Sequence, residues 1–158
     1  MDSESDIKAK QNLLTKKDDD GYTALHRACY SNNLEVVKYL ISFEDHPEMP
    51  EVNQLQAKTD MGWTPLHSAV YWNCYIIVDY LLRFANADVN IKTNSGQTCL
   101  HLAAQQSTGR ETLLLLLTHP LIKYDIKNDQ DETAQNIAIR SCKYNAFFEI
   151  TEPNLNKL

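Results

Sequence analysis

The chain has 158 residues, of which 43% are hydrophobic and 23% are charged, and this balance is ordinary for one folded domain with a core. Its net charge of −6 argues against a protein whose main task is to bind the phosphates of DNA or RNA, so we expect no direct nucleic-acid partner. The longest apolar run, LLLLL at 113–117, is too short to span a bilayer, and we expect no membrane partner.

Residues 1–17 precede the first repeated phrase and contain DIKAKQNLL. We treat this N-terminal segment as a candidate remnant of a capping helix, the second helix of a preceding repeat. The four cysteines lie far apart without a CxxC pair, which indicates neither a zinc site nor a disulfide framework. Without an export signal in the sequence, reduced thiols and a location in the nucleus or cytoplasm are expected.

One phrase then recurs along the chain. It is written GYTALHRAC at 21–29, GWTPLHSAV at 62–70, GQTCLHLAA at 96–104 and, faintly, DETAQNIAI at 131–139. The threonines of these phrases are separated by 41, 34 and 35 residues. A period of 33–35 residues is typical of stacked helix pairs, and the threonine-proline-leucine-histidine phrase marks the ankyrin kind.

Each copy predicts the same local structure. The threonine suits the N-cap of a first helix, and Pro65 suits the first helical position. Second helices are predicted from the apolar faces of LEVVKYLI (34–41), YIIVDYLL (75–82) and ETLLLLLT (111–118). Turn-rich links join the copies. Each phrase begins with a glycine except the last, where Asp131 replaces it. The insert FEDHPEMPEVNQ at 43–54 has two prolines and four acids, which predicts a solvated loop.

Through TALHRA, TPLHSA and TCLHLA the chain resembles the ankyrin-repeat family over nearly its whole length after Lys16. The resemblance implies an all-α solenoid of about four helix-turn-helix repeats with β-hairpin links. We expect an ankyrin-repeat domain at 18–152 and a C-terminal tail at 153–158, with repeats near 21–53, 62–92, 96–127 and 131–150. The degenerate last copy is what a terminal capping repeat would show.

A narrower resemblance is carried by YTALHRACYSNNLEVV, GWTPLHSAVYWN, LLRFANADVN and the ending KNDQDETAQNIAIRSCKYNAFFEI. These segments are similar to the ankyrin repeat domain-containing protein 49 family. That resemblance implies a non-enzymatic protein of the nucleus or cytoplasm, linked with transcription regulation and male germ-cell development. It implies no particular ligand.

Catalytic and metal chemistry find little support. Sequence patterns for nucleophilic, nucleotide-binding and zinc-protease sites are missing, so we expect no enzyme, no cofactor and no small-molecule substrate. His26, His67 and His101 occupy one phrase position and should lie in a row, whereas zinc needs ligands that converge on a point. The resemblance implies instead that each histidine ties a helix start to a hairpin. The aspartates at 18–20 lack the spacing of a calcium loop.

Binding should depend on the residues that vary between copies and face the concave groove, because the groove of a solenoid is an extended binding surface. The candidates lie beside the turn glycine or late in the first helix: Asp19, Asp20, Tyr22, Tyr30, Asp60, Met61, Trp63, Tyr71, Trp72, Gln97 and Gln105. Trp63, Tyr71 and Trp72 are expected to form the centre, since aromatic residues dominate binding hot spots. The acidic turns favour a protein partner with a basic segment.

Three alternatives stay open. In the first alternative, one tryptophan packs against the neighbouring repeat or the 43–54 loop instead of serving a partner. If both serve a partner, truncating Trp63 and Trp72 together should abolish partner capture and leave the melting temperature nearly unchanged. Asn90 follows Leu82 by eight residues and Asp88 by two. This arrangement is similar to ankyrin sites that an asparaginyl hydroxylase modifies. A turn-forming role for Asn90 is the simpler explanation. The chain could also be a structural spacer that holds two other proteins.

Overall fold

The computed structural model describes residues 4–44, 46–49, 52–106, 109–141 and 143–150. In those ranges it contains eight α-helices, one 3-10 helix and no strand. The α-helices are α1 (Glu4–Thr15), α2 (Ala24–Tyr30), α3 (Leu34–Ile41), α4 (Pro65–Tyr71), α5 (Tyr75–Arg83), α6 (Cys99–Gln105), α7 (Arg110–Leu117) and α8 (Ala134–Ser141). The 3-10 helix covers Asn145–Ile150. The expected tail at 153–158 lies outside the described residues.

The helices form two layers. First helices α2, α4, α6 and α8 pack against one another in one layer, and second helices α3, α5 and α7 form the other. Within each repeat the two helices also contact each other, and the 3-10 helix packs against α7 and α8. The predicted all-α solenoid is therefore confirmed, and the three predicted second helices match the observed bounds to within one residue.

The core runs between the two layers from repeat to repeat. The core contains the leucines and alanines of the phrases together with apolar residues of the second helices. Its buried members include Leu25, Ala28, Leu66, Ala69, Leu100, Ala103, Val37, Leu40, Ile77, Val78, Leu81, Leu113 and Leu116. Each repeat thus buries its apolar face against its neighbours, which is how a solenoid is stabilised.

The N-terminal segment contains α1, which packs against α2. Its buried residue is Leu14, and Ile7 packs half-buried against the same core. Leu13 is exposed on the outer side. Helix α1 therefore covers part of the apolar face that the first repeat presents at this end of the stack.

The loop at 43–54 is anchored, which corrects the expectation that it is simply solvated. It contains neither helix nor strand in its described residues, but Met49 and Val52 are each only 3% exposed. The side-chain amide of Gln54 donates to the carbonyl of Leu40 at 2.7 Å, and the Glu44 carboxylate accepts the backbone N–H of Leu55 at 3.2 Å. Two apolar residues of the loop thus join the core, and Gln54 attaches the loop to α3.

The links between repeats have hairpin connectivity but are too short to form strands in the described residues. In the first link the Gly21 N–H donates to the Asp18 carbonyl at 3.0 Å and the Asp18 N–H donates to the Tyr22 carbonyl at 2.9 Å. This is a three-residue hairpin turn closed by a glycine bulge. The last link adds an isolated antiparallel bridge between Lys127 and Thr133.

Successive turns stack on one another. Asp60 donates its backbone N–H to the Asp20 carbonyl at 3.2 Å, and Asn94 donates its own to the Met61 carbonyl at 3.1 Å. Gly62 has φ +78°, and a Cβ atom there would lie 2.3 Å from the Asn94 Oδ1. Glycine is therefore required both by the left-handed backbone and by the next turn.

A row of lysines, which the sequence analysis did not single out, follows the same axis. The Nζ atoms of Lys17, Lys58 and Lys92 donate to the backbone carbonyls of Lys58, Lys92 and Lys127 at 2.7, 3.0 and 2.8 Å. Lys127 ends the row with an ion pair to Asp131. Each lysine thus ties its own link to the link of the next repeat.

Candidate interaction surface

Four aromatic residues form a continuous cluster across the first two repeats, which we call the aromatic patch: Tyr30, Trp63, Tyr71 and Trp72. The ring of Trp72 contacts Tyr30 at a centroid distance of 4.8 Å and Tyr71 at 5.4 Å, both edge to face. Tyr71 in turn contacts Trp63 at 5.0 Å. The helix positions of Tyr30 and Tyr71 are equivalent, so the stacking of α2 on α4 brings the two repeats' aromatic residues together.

The members of the patch differ in exposure. Trp72 is 52% exposed, Tyr30 is 44% exposed and Tyr71 is 39% exposed. Trp63 is half-buried and packs against the core, and its carbonyl accepts a hydrogen bond from His26 Nε2 at 2.9 Å. Of the two tryptophans, Trp63 is therefore the one that packs against the core, and its backbone carbonyl connects it to the first repeat. That truncating both tryptophans leaves melting nearly unchanged stays a prediction, and the packing of Trp63 against the core weighs against it.

Tyr22 lies in a separate arrangement. Its ring contacts His26 at a centroid distance of 5.6 Å, and the Arg27 guanidinium carbon lies 4.5 Å from the ring centroid. Arg27 also pairs with the Asp18 carboxylate at 2.5 Å. The hydrogen bond from Arg27 is the largest cause that holds the pKa of Asp18 below its usual value. Tyr22 is thus already covered on one side by a cation of the same chain.

The turns carry exposed carboxylates and one exposed apolar residue. Asp19 and Asp20 lie at the tip of the first turn, and Asp60 and the 69% exposed Met61 lie at the tip of the second. No hydrogen bond or ion pair engages the carboxylates of Asp19 and Asp60 within the described ranges. In the third repeat, Gln105 is exposed and Gln97 is half-buried. The structure therefore brings aromatic residues together in the second repeat and leaves acidic residues on the turns before them.

The three phrase histidines lie in a row with one hydrogen-bonding pattern at Nδ1. His26 accepts the Thr23 N–H there at 3.2 Å, and the same bond recurs at His67 (3.1 Å) and His101 (3.2 Å). His101 Nε2 donates to the Glu132 carbonyl of the next repeat at 3.0 Å. Burial lowers the pKa of His26 and of His67 to about 4 and lowers the pKa of His101. The neutral imidazoles of His26 and His101 therefore connect a helix start to the following link.

Comparison with known proteins decides the family. A family model for ankyrin repeats, in three copies, matches residues 4–93, which is more than half of the chain. The chain belongs to the ankyrin-repeat family. Ankyrin repeats are protein–protein interaction modules.

Two relatives resemble this ankyrin-repeat protein along most of its length. Ankyrin repeat domain-containing protein 49 of Homo sapiens is 44% identical over 146 residues, and the protein of the same name from Mus musculus is 45% identical over 149 residues. The matches cover 92% and 90% of this chain but only 57% and 59% of the relatives. They confirm the narrower resemblance, and the chain spans somewhat over half the length of either relative.

Asn90 has a clear structural role in the ankyrin stack. Its side-chain amide donates to the Leu121 carbonyl at 2.7 Å, and its Oδ1 accepts the Lys123 N–H at 3.0 Å. Its own N–H donates to Asp88 Oδ1 at 2.9 Å. The side chain therefore joins the second repeat to the third. Hydroxylation of Asn90 stays a prediction, and an enzyme would have to draw this amide away from both backbone partners.

The described residues hold no cluster of three or more metal-ligating side chains. Cys29, Cys74 and Cys99 are buried free thiols, and burial raises the pKa of each. Cys142 lies outside the described residues. Among the described helices, none is both long and apolar enough to cross a membrane.

Proposed function

We propose that this ankyrin-repeat protein is a non-enzymatic adaptor or regulator that binds a protein partner through the aromatic patch and the acidic turns before it. The observation that carries the proposal is the exposed ring of Trp72, held edge-on by Tyr30 and Tyr71. Exposed aromatic rings in mutual contact are costly in water and are enriched at protein interfaces.

The charge of the surface supports a partner with a basic segment. Asp19, Asp20 and Asp60 are exposed on adjacent turns, and residues 59–82 contain no lysine or arginine. Opposite charges on two partners speed and orient their association more than they strengthen it. Met61 and Gln105 extend the proposed footprint along the turns and into the third repeat.

The test is affinity capture from cell extract with the full chain and two variants. Trp72→Ala removes the most exposed ring of the patch, and Tyr75→Ala removes a ring of similar exposure, 47%, from the second-helix layer. We expect Trp72→Ala to lose a partner that the parent chain and Tyr75→Ala both retain. Equal capture by all three proteins would contradict the proposal.

A structural spacer is the second candidate, and one observation favours it. Tyr75 and Ile76 are each 47% exposed on α5 and line a mainly apolar groove of about 450 Å³ with Leu114 and Leu115 of α7. A spacer would use this face and the aromatic patch together. Loss of one partner by Trp72→Ala and of a different partner by Tyr75→Ala would favour the spacer over a module with one binding face.

We also propose a location in the nucleus or cytoplasm and a role in transcription regulation or germ-cell development. The support is the resemblance to the ankyrin repeat domain-containing protein 49 family alone. Microscopy of the tagged full-length protein tests the location, and accumulation in a secretory compartment would contradict it. A reporter screen with the Trp72→Ala variant as control tests the regulatory role.

A further inference from the structure

The chain holds one of its own guanidinium groups between an aromatic ring and a carboxylate. Arg27 lies with its guanidinium carbon 4.5 Å from the ring centroid of Tyr22. The same group donates through Nε to Asp18 Oδ2 at 2.9 Å and through Nη2 at 2.5 Å. A ring face supplies cation–π attraction while the carboxylate supplies the opposite charge.

The aromatic patch offers ring surface of the same kind, carboxylates lie on the turns before it, and no described cation lies over one of its rings. Trp72 is flanked by Tyr30 at an interplanar angle of 79° and by Tyr71 at 81°, and half of the tryptophan surface is open to solvent. The carboxylates of Asp19 and Asp60 carry no hydrogen bond or ion pair within the described residues. The cations nearest to the patch in sequence are already engaged: Arg27 by Asp18 and Tyr22, and Lys58 by the Lys92 carbonyl.

We propose that the aromatic patch binds an arginine side chain of the partner, with the guanidinium stacked on Trp72 and the charges of Asp19 and Asp60 favouring its approach. This inference rests on the proposed function and specifies the chemistry that the partner must present. Arginine fits better than lysine because its guanidinium is planar, weakly hydrated and able to stack on a ring while pairing with a carboxylate. Tryptophan is the strongest aromatic partner for such a cation.

The experiment follows the two indole N–H signals of the full chain by NMR during titration with three probes. The probes are hexa-arginine, hexa-lysine and hexa-citrulline, which separate guanidinium, ammonium and an uncharged isostere of arginine. Assignment uses Trp72→Phe, which removes one of the two signals. We expect saturable movement of the Trp72 signal with hexa-arginine, binding about 3- to 10-fold weaker with hexa-lysine and none with hexa-citrulline.

Variants separate stacking from charge. Because both Trp72 variants lack the Trp72 signal, their binding is measured by isothermal titration calorimetry. Trp72→Ala should abolish the saturable binding of hexa-arginine, whereas Trp72→Phe, with a weaker ring, should retain part of it. Asp60→Asn should weaken it about 2- to 5-fold without changing which probe binds best. Equal binding of hexa-arginine and hexa-lysine, binding of hexa-citrulline, or full binding by Trp72→Ala would each overturn the inference.

Failure here is distinguishable from failure of the proposed function. If Trp72→Ala loses a captured partner but hexa-arginine leaves the Trp72 signal unmoved, the patch is a protein-binding site and the arginine inference is wrong. If hexa-arginine binds at Trp72 but no captured partner depends on that residue, the guanidinium site stands and the proposed function is wrong.

Discussion

Trp63 and Trp72 differ in how far their side chains are buried, although both belong to the aromatic patch. Trp63 is half-buried against the core, and its backbone N–H donates to Thr59 Oγ1 at 3.1 Å. Trp72 follows the last residue of α4 and exposes half of its surface. Exposure therefore separates a residue that supports the fold from one that is available to a partner.

We expect Trp63→Ala to lower the free energy of unfolding by roughly 2 kcal/mol, because a half-buried ring leaves a partial cavity. Trp72→Ala should change it by less than about 1 kcal/mol, since an exposed ring loses little burial. Urea unfolding followed by circular dichroism measures both. A larger loss for Trp72→Ala than for Trp63→Ala would contradict this division.

The fourth copy shows at residue scale why its phrase departs from the others. Asn136 occupies the histidine position, and its Oδ1 accepts the Thr133 N–H at 3.0 Å, as the Nδ1 of the histidines does in the earlier copies. Asparagine is too short to reach a following link in the way that His101 reaches Glu132. Asparagine therefore keeps the helix cap and gives up the link to a further repeat.

At the scale of elements, the turns act as a stack rather than as separate loops. Gly62 packs against Asn94 of the next turn, while Asp131, at the equivalent position of the last turn, has φ +60° and a side chain that is 83% exposed. A side chain is tolerated at this position only where no described turn stacks on it. Aspartate also visits the left-handed region more readily than most residues do.

Gly62→Ala should therefore destabilise the protein by about 2 to 3 kcal/mol, because the added methyl group meets backbone atoms and the positive φ is unfavourable. Asp131→Gly is the matched control: it removes the same strain and only an exposed ion pair, so its effect should stay within about 1 kcal/mol. Thermal and urea unfolding of both variants provide the comparison. Equal destabilisation would show that stacking of the turns is not what restricts Gly62.

The helices were predictable from sequence because their apolar periodicity and threonine caps recur in register. The aromatic patch was predictable in part, since Tyr30 and Tyr71 share a position, but the packing of Trp63 against the core depends on three-dimensional contacts that spacing does not supply. The anchoring of Met49 and Val52 was missed, because single apolar residues among acids and prolines have no period. The lysines of the row are separated by the same intervals as the threonines, so their periodicity was visible in the sequence. Sequence alone could not distinguish them from lysines whose side chains are simply exposed to solvent.

At the scale of the whole molecule, three rows of contacts run along the stack. Histidines, lysines and turn backbones each connect one repeat to the next, so most long-range stabilisation passes between neighbours. The histidine row differs from the other two because its members titrate near neutral pH when they are exposed in the unfolded chain. Acidification should therefore weaken several interfaces at once.

Burial lowers the pKa of His26 and His67 to about 4 in the folded protein, against an ordinary value of 6.5. Between these values the unfolded chain binds protons that the folded protein does not, so stability is complete above pH 6.5 and falls as the pH approaches 4. Each of these two histidines contributes roughly 3 kcal/mol to that loss. The lowered pKa of His101 acts in the same direction.

We expect the free energy of unfolding of the parent chain to decrease steadily between pH 6.5 and pH 4, as measured by urea unfolding at fixed ionic strength. His67→Asn copies the residue that the fourth copy uses, keeps a cap acceptor and should reduce this decrease by roughly 3 kcal/mol, since one buried imidazole is gone. His46→Asn lies outside the row and serves as the control. An unchanged pH dependence in His67→Asn would mean that acid does not act at this buried imidazole.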